Sequence, residues 1–246
     1  VEVDAWVWGA VLASGFLVGF AKGGFGGAGV LAILLLASVV PARESTGLLL
    51  PMLICGDLVA VALYHAHSRL KLLLGLLPAA APGIVVGWLL MPAVPADLFG
   101  KVIGVILLSM MVLVVLQRVR PKLLQIDARQ RRIAWPLGGM AGVTTMMANA
   151  AGPVTTLYLL ACRLPKWEFV GTAAWFYLVV NVVKVPFSYS LGLISPSSLL
   201  LNLSAVPLVV AGAFFARWVV GQTNQVVFDW LLIGFSIVGA LKLLIF

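Results

Sequence analysis

Charge is scarce in this sequence: only 10% of the 246 residues are Asp, Glu, Lys or Arg. With 63% hydrophobic residues and a mean hydropathy of +1.15, the chain has too little polar surface to cover a water-soluble globule. Cysteine is nearly absent. Cys55 and Cys162 both lie in apolar runs without metal-type spacing, which points to packing rather than a disulfide framework or a metal centre. The two histidines form one His65-Ala66-His67 pair without further convincing ligands, so no metal and no cofactor is expected. No Ser/His/Asp or Cys/His pattern of sufficient specificity appears within the apolar runs, which argues against an enzyme.

What is plentiful is apolar sequence in long runs. Segments near 4–22, 27–40, 46–64, 70–91 and 97–117 are followed by 133–148, 152–163, 168–190, 197–220 and 225–246. A bilayer core needs about 20 apolar residues per helix, and most of these runs reach that length. The expected fold is an all-α polytopic membrane protein of about ten segments. The acidic start, Val1 to Trp8, lacks the basic region of a secretory signal, so the first helix is expected to be retained.

The net charge of +8 does not point to nucleic acid. Six of the sixteen basic residues, Arg118, Arg120, Lys122, Arg129, Arg131 and Arg132, crowd one short segment between the halves. In a membrane protein that pattern marks a cytoplasmic loop. The chain therefore divides into a first transmembrane repeat (1–117), a basic cytoplasmic linker (118–132) and a second repeat (133–246).

An offset of 124 residues superposes Gly15 on Gly139, Val30 on Val154, Pro41 on Pro165, Glu44 on Glu168 and Gly47 on Gly171. One residue more aligns Pro82 with Pro207 and Gly87 with Gly212. Five crossings per half force the halves into opposite senses, giving two inverted five-segment repeats. The loops at 65–71 and 162–168, both basic, then fall on the cytoplasmic side, and both termini fall outside.

The run "GFAKGGFGGAGV", Gly19 to Val30, carries five glycines between Gly23 and Gly29 together with Lys22. The segments that follow this break and its mate, "MMANAAGP", are too short to cross a membrane comfortably. They are expected to be broken half-helices that begin at the midplane, where free N–H groups and the positive dipole end attract anions. The glycines let backbone approach a small ligand; close helix packing would use them equally. Pro153 suits a first helical turn.

Several polar residues fall at intramembrane depth. Asp57 aligns with Asn181 by the 124 offset, and one turn on lies Lys184, followed by Pro186. Asp57 can carry a proton or pair with a lysine; Lys184 can face a substrate path, snorkel to the surface or pair with Asp57. Asn149, Thr144, Thr145 and Thr155 flank the second break, suited either to line a site or to pack helices. Glu44 and Glu168 each follow a proline at a segment start, where the helix dipole alone favours them.

The stretches "GFAKGGFGGAGVLAILLL", "LLPMLICGDLVAV", "AGPVTTLYLL", "GTAAWFYLVVNVVKVPFSYSLGLI" and "VPLVVAGAFFARWV" resemble the TauE/SafE family of sulfite exporters, over nearly the whole chain. The resemblance implies an inner (plasma) membrane permease for sulfite or a small organosulfonate. The matching motif positions are Lys22, Gly23, Gly24, Gly26, Gly27, Asp57, Gly152, Pro153, Asn181 and Lys184. Asn149 stands where many relatives have histidine, so no proton role is expected there. The expectation is a secondary transporter with a midplane anion site formed by Lys22, Gly23, Gly24, Gly26, Gly27, Asn149, Gly152, Asn181 and Lys184, and with Asp57 as the coupling carboxylate. A passive anion channel, or a permease of the same fold for another anion, stands beside it. Its partners are the sulfur anion and the bilayer; self-association is left open.

Overall fold

The computed structural model describes residues 5–95 and 131–245, together with positions 98, 101, 105, 108, 109, 112, 115, 116 and 119. The expected segment at 97–117 is only sparsely covered by these, and the linker, apart from 119, lies outside the described residues up to 130. Described elements are α-helices α1 (Ala5–Lys22), α2 (Gly29–Ala37), α3 (Ala42–Tyr64), α4 (Leu70–Ala93), α5 (Arg131–Ala148), α6 (Gly152–Ala161), α7 (Lys166–Ser190), α8 (Pro196–Gln222) and α9 (Gln225–Ile245), with 3₁₀ turns at Gly26–Ala28 and His65–His67.

Five of these helices are long and apolar enough to cross a membrane: α1, α3, α4, α7 and α8. Their outer faces carry exposed Leu74, Leu200, Leu203 and Trp218, the surface expected against lipid tails. The internal prolines Pro51, Pro82, Pro186 and Pro207 sit inside continuous helices, as membrane helices allow.

Local chemistry sets the ends. Pro41 and Pro165 immediately precede α3 and α7, and each carbonyl accepts from the amide four residues on, Ser45 and Phe169, at 2.9 Å. Glu44 and Glu168 lie in those first turns, where the dipole favours them. α8 opens on a capping box between Ser195 and Ser198. α5 stops at Asn149, whose φ of 52° is the left-handed conformation that Asn tolerates better than most residues.

Packing builds the bundle around α3 and α7. α1 lies along α8 and α4 along α5, while α3 and α7 face each other. The α1–α8 approach is close because Gly19 and Gly23 have no side chain: a Cβ on either would overlap the carbonyl oxygens of Val209 and Ala213. Gly142 does the same for α5 against Ala80 of α4. Dispersion between close-packed backbones holds such pairs, since lipid offers apolar side chains no less favourable surroundings.

The half-helices behave as their length demands. α2 has nine residues and α6 ten, about 14 and 15 Å at 1.5 Å per residue, roughly half a bilayer core. α6 is buried from Gly152 to Leu159, so its irregular start is shielded by protein rather than lipid.

Candidate functional site

The starts of α2 and α6 meet at one small cavity of about 30 Å³, enough for a water. Gly26 and Gly29 line it from the first break, Ala151 and Gly152 from the second, and Lys22, Thr145, Asn149, Tyr177 and Asn181 from the surrounding helices. Neither half-helix has a side-chain cap at its start. The first-turn N–H groups and the positive dipole ends of both therefore lie beside the same space.

Lys22, the last residue of α1, places its Nζ 2.8 Å from Oδ1 of Asp57, with its side chain 9% exposed and that of Asp57 wholly buried. The same ammonium stands 4.2 Å from the ring centroid of Tyr177. Asn181 Nδ2 donates to Oδ2 of Asp57 at 2.6 Å. Both carboxylate oxygens are thus engaged, one by a cation and one by an amide.

Lys184 takes none of the readings of surface snorkelling or bonding to Asp57. It is 1% exposed and donates to Asn149 Oδ1 at 2.5 Å and to Thr145 Oγ1 at 3.3 Å. Asn149 in turn donates from Nδ2 to the Thr46 carbonyl at 2.9 Å, which fixes its amide between α5 and α3. Lys184 stands one side chain behind the cavity wall, and Asp57 likewise lies behind Lys22.

The glycines divide into two groups. Gly26 faces the Tyr177 hydroxyl, which a Cβ there would approach to 3.2 Å, and lines the cavity. Gly23 and Gly24 instead pack on Ala213 and Val220 of α8. Gly27 lies within the 3₁₀ turn. Thr144 turns back to the carbonyls of Met140 and Ala141, and Thr155 to that of Ala151, so of the threonines only Thr145 reaches a lysine.

Tyr177 is the residue that sequence reasoning missed. It sits four residues before Asn181 and seven before Lys184, the spacing of one helical face, and that periodicity was the available signal.

Away from the cavity, the loop after α3 is joined to the start of α7. Arg69 clasps Glu168 through Nε (2.8 Å) and a terminal nitrogen (2.6 Å), and the Arg69 amide donates to Thr172 Oγ1 at 2.9 Å. The hydrogen bonds to Glu168 hold the Arg69 guanidinium above its ordinary pKa, so it stays charged at any working pH. Nearby, Tyr64 donates to the Gly23 carbonyl at 2.6 Å, beneath the guanidinium of Arg217.

The chain matches the family described as Sulfite exporter TauE/SafE over residues 11–243. It belongs to that family. The TauE/SafE proteins are membrane transporters and not an enzyme family, so this is a multi-pass membrane protein whose family implies a sulfur-anion cargo. No curated protein and no solved structure matches the chain.

Proposed function

We propose that this protein is a secondary transporter that exports a small sulfur-containing anion, sulfite or an organosulfonate, by alternating access around the cavity between α2 and α6. The observation that carries the reading is the convergence of both half-helix starts and the Lys22 ammonium on that single cavity. The anion's oxygens accept from first-turn N–H groups and from Lys22, while Lys184 acts through Asn149 and Thr145. Gly23, Gly24 and Gly27 serve the site by shaping the break that carries Gly26.

In this reading the two halves are inverted repeats of five segments. The contact between Asp57 and Asn181, which the 124-residue offset aligns, supports that view: repeat mates meet each other where a pseudo-two-fold axis passes. The loops at 65–71 and 162–168, joined through Arg69 and Glu168, form the cytoplasmic end, and the basic linker is assigned to the same side by its charge, with both termini outside. A cavity that holds one water has no room for an anion of four or more heavy atoms, so loading requires the repeats to rock apart. Asp57 carries the coupling proton, since releasing Lys22 is the event that would change its partner.

The test is thermal unfolding of the purified protein with sulfite, sulfate, thiosulfate, taurine, sulfoacetate and phosphate, paired with saturable flux in proteoliposomes. A ligand that binds only the folded state raises its stability. Stabilisation by a sulfur anion, lost in Lys22→Ala or Lys184→Ala, is the expected result. Flux that never saturates would assign the channel mechanism instead.

A further inference from the structure

The buried charges around the cavity do not cancel. Lys22 and Asp57 form a pair at 2.8 Å, and the second oxygen of Asp57 is taken by Asn181 at 2.6 Å. Lys184, 1% exposed, makes no ion pair or hydrogen bond to a carboxylate among the described residues. Its two partners, Asn149 Oδ1 and Thr145 Oγ1, are neutral, and an ammonium has a third N–H to give.

Among the described residues, the elements packed around Lys184 supply no other buried compensating charge. On α3, Arg43 and Glu44 lie in the first turn, two or three residues from the Thr46 carbonyl that Asn149 meets, but both are exposed to solvent and neither is a buried counter-charge. α4 carries Lys71 at its start, α6 carries no charged residue, and α7 has its other charges, Lys166 and Glu168, in its first turn. The buried Asp229 of α9 accepts from Gln225, whose side chain also accepts from the Lys166 amide, so it belongs to that far end. Counting Lys22, Lys184 and Asp57 in its ionised, Lys22-paired form, the site holds a formal excess of one positive charge, and the ligand is matched to that form.

Buried charges in proteins are matched, because an isolated ion in a low-dielectric interior loses its hydration without return. From this count we infer that the transported species is singly charged: a hydrogensulfite or an organosulfonate monoanion, selected against dianions such as sulfate. The inference rests on the anion-site reading above and deepens it. One negative charge beside Lys22, Asn149 and the half-helix starts neutralises the Lys184 excess; a second negative charge has no buried partner and faces the Asp57 carboxylate.

The test varies the charge of the ligand and then of the site. Thermal unfolding of the full-length protein in detergent is followed at neutral pH and constant ionic strength, titrating methanesulfonate as the monoanion and sulfate as the dianion, with chloride as the balancing salt. Wild type is expected to bind methanesulfonate at least tenfold more tightly than sulfate. Asp57→Asn, which raises the formal excess to two and keeps an amide for Asn181 to meet, is expected to move the preference towards sulfate. Lys22→Ala alone leaves Asp57 unmatched and the excess at zero, whereas the double variant Lys22→Met, Asp57→Asn returns the excess to one. The double variant is expected to bind more weakly than wild type, having lost one donor, but to restore the methanesulfonate preference; it also covers the case in which Asp57→Asn alone fails to fold.

Sulfate preferred by wild type, or a preference that does not follow the site charge through the single and double variants, overturns the charge matching while leaving an anion site in place. Stabilisation of wild type by neither anion overturns the anion-site reading, and this inference with it.

Discussion

Asn181 and Asp57 share one hydrogen bond of 2.6 Å between side chains that are 3% and 0% exposed, and this bond ties α7 to α3 at the level of the cavity. A carboxylate this deep depends on every donor it has. Lys22 supplies one and Asn181 the other, so the pair fixes the position of the cation that lines the cavity as well as the two helices. Removing one donor leaves a buried anionic oxygen without a partner, which costs about 1–3 kcal/mol.

Asn181→Leu is therefore expected to lower the stability of the detergent-solubilised protein by about 1–3 kcal/mol, read from chemical or thermal unfolding. The same variant is expected to weaken anion binding, because Lys22 loses its fixed anchor. Unfolding unchanged from wild type would show that Asp57 finds its second donor elsewhere.

The depth and repeat register of these residues were legible in the sequence, whereas the contact between Asp57 and Asn181 was not: the expectation for Asp57 is a proton or a lysine, and of the two only the lysine is a partner the structure names, as Lys22. Asp57 and Asn181 were aligned by an offset carried on prolines, glutamates and glycines, and the fold places them in contact. The half-helices were legible because the runs at 27–40 and 152–163 are too short to span a bilayer comfortably, and the helices found there are nine and ten residues long. The glycine run was ambiguous for a physical reason: a missing Cβ serves a ligand's approach and a neighbouring helix's approach alike. Only the packing shows that Gly23 and Gly24 face α8 while Gly26 faces the cavity. Tyr177 went unread because its one signal was the shared helical face with Asn181 and Lys184, which an aromatic in an apolar run matches as readily for packing; its place under Lys22 depends on how α1 meets α7.

The two adjacent threonines of α5 separate a site role from a packing role. Thr145 accepts from Lys184, whereas Thr144 bonds back within its own helix. Thr145→Val is expected to lower stability by about 1 kcal/mol and to weaken anion binding severalfold, since Lys184 loses one of two acceptors. Thr144→Val is expected to leave binding unchanged. Equal effects of the two on affinity would remove Thr145 from the site.

Gly19 and Gly9 lie on the same helix and predict opposite outcomes. A methyl at Gly19 overlaps the Val209 carbonyl, while the space beside Gly9 is open within 4 Å. Gly19→Ala is expected to destabilise by about 1–3 kcal/mol through the forced separation of α1 and α8. Gly9→Ala is expected to be neutral or to stabilise by up to about 1 kcal/mol, through helix propensity alone. Thermal unfolding of the two variants side by side gives the comparison, and a Gly19→Ala protein as stable as wild type would mean that α1 and α8 are not in the contact described.

Arg69 and Glu168 join the loop after α3 to the start of α7 at the end that carries the basic loops, and among the described residues no ion pair stands at the opposite end. At the opposite end Gly47 of α3 packs on the backbone of Leu193. At this end Gly171 makes the matching approach to the loop after α3, and the two-pronged Arg69–Glu168 pair is added to it. Such an exposed pair contributes little to global stability and weakens with salt, but under the proposed alternating access it contributes only in the state with this end shut. Removing it should therefore shift the balance between conformations far more than it shifts unfolding. Arg69→Ala and Glu168→Ala are each expected to speed labelling of a cysteine placed at Asn149 by a membrane-impermeant thiol reagent applied from the side of the 65–71 loop. The double variant should add nothing further, and a rise in salt should bring wild type towards the variants. The Arg69→Glu, Glu168→Arg exchange restores an opposite pair and should slow labelling again. Labelling that is unchanged in all of them, or additive in the double variant, would leave the pair as surface decoration on a closure held by Gly171 and its neighbours alone.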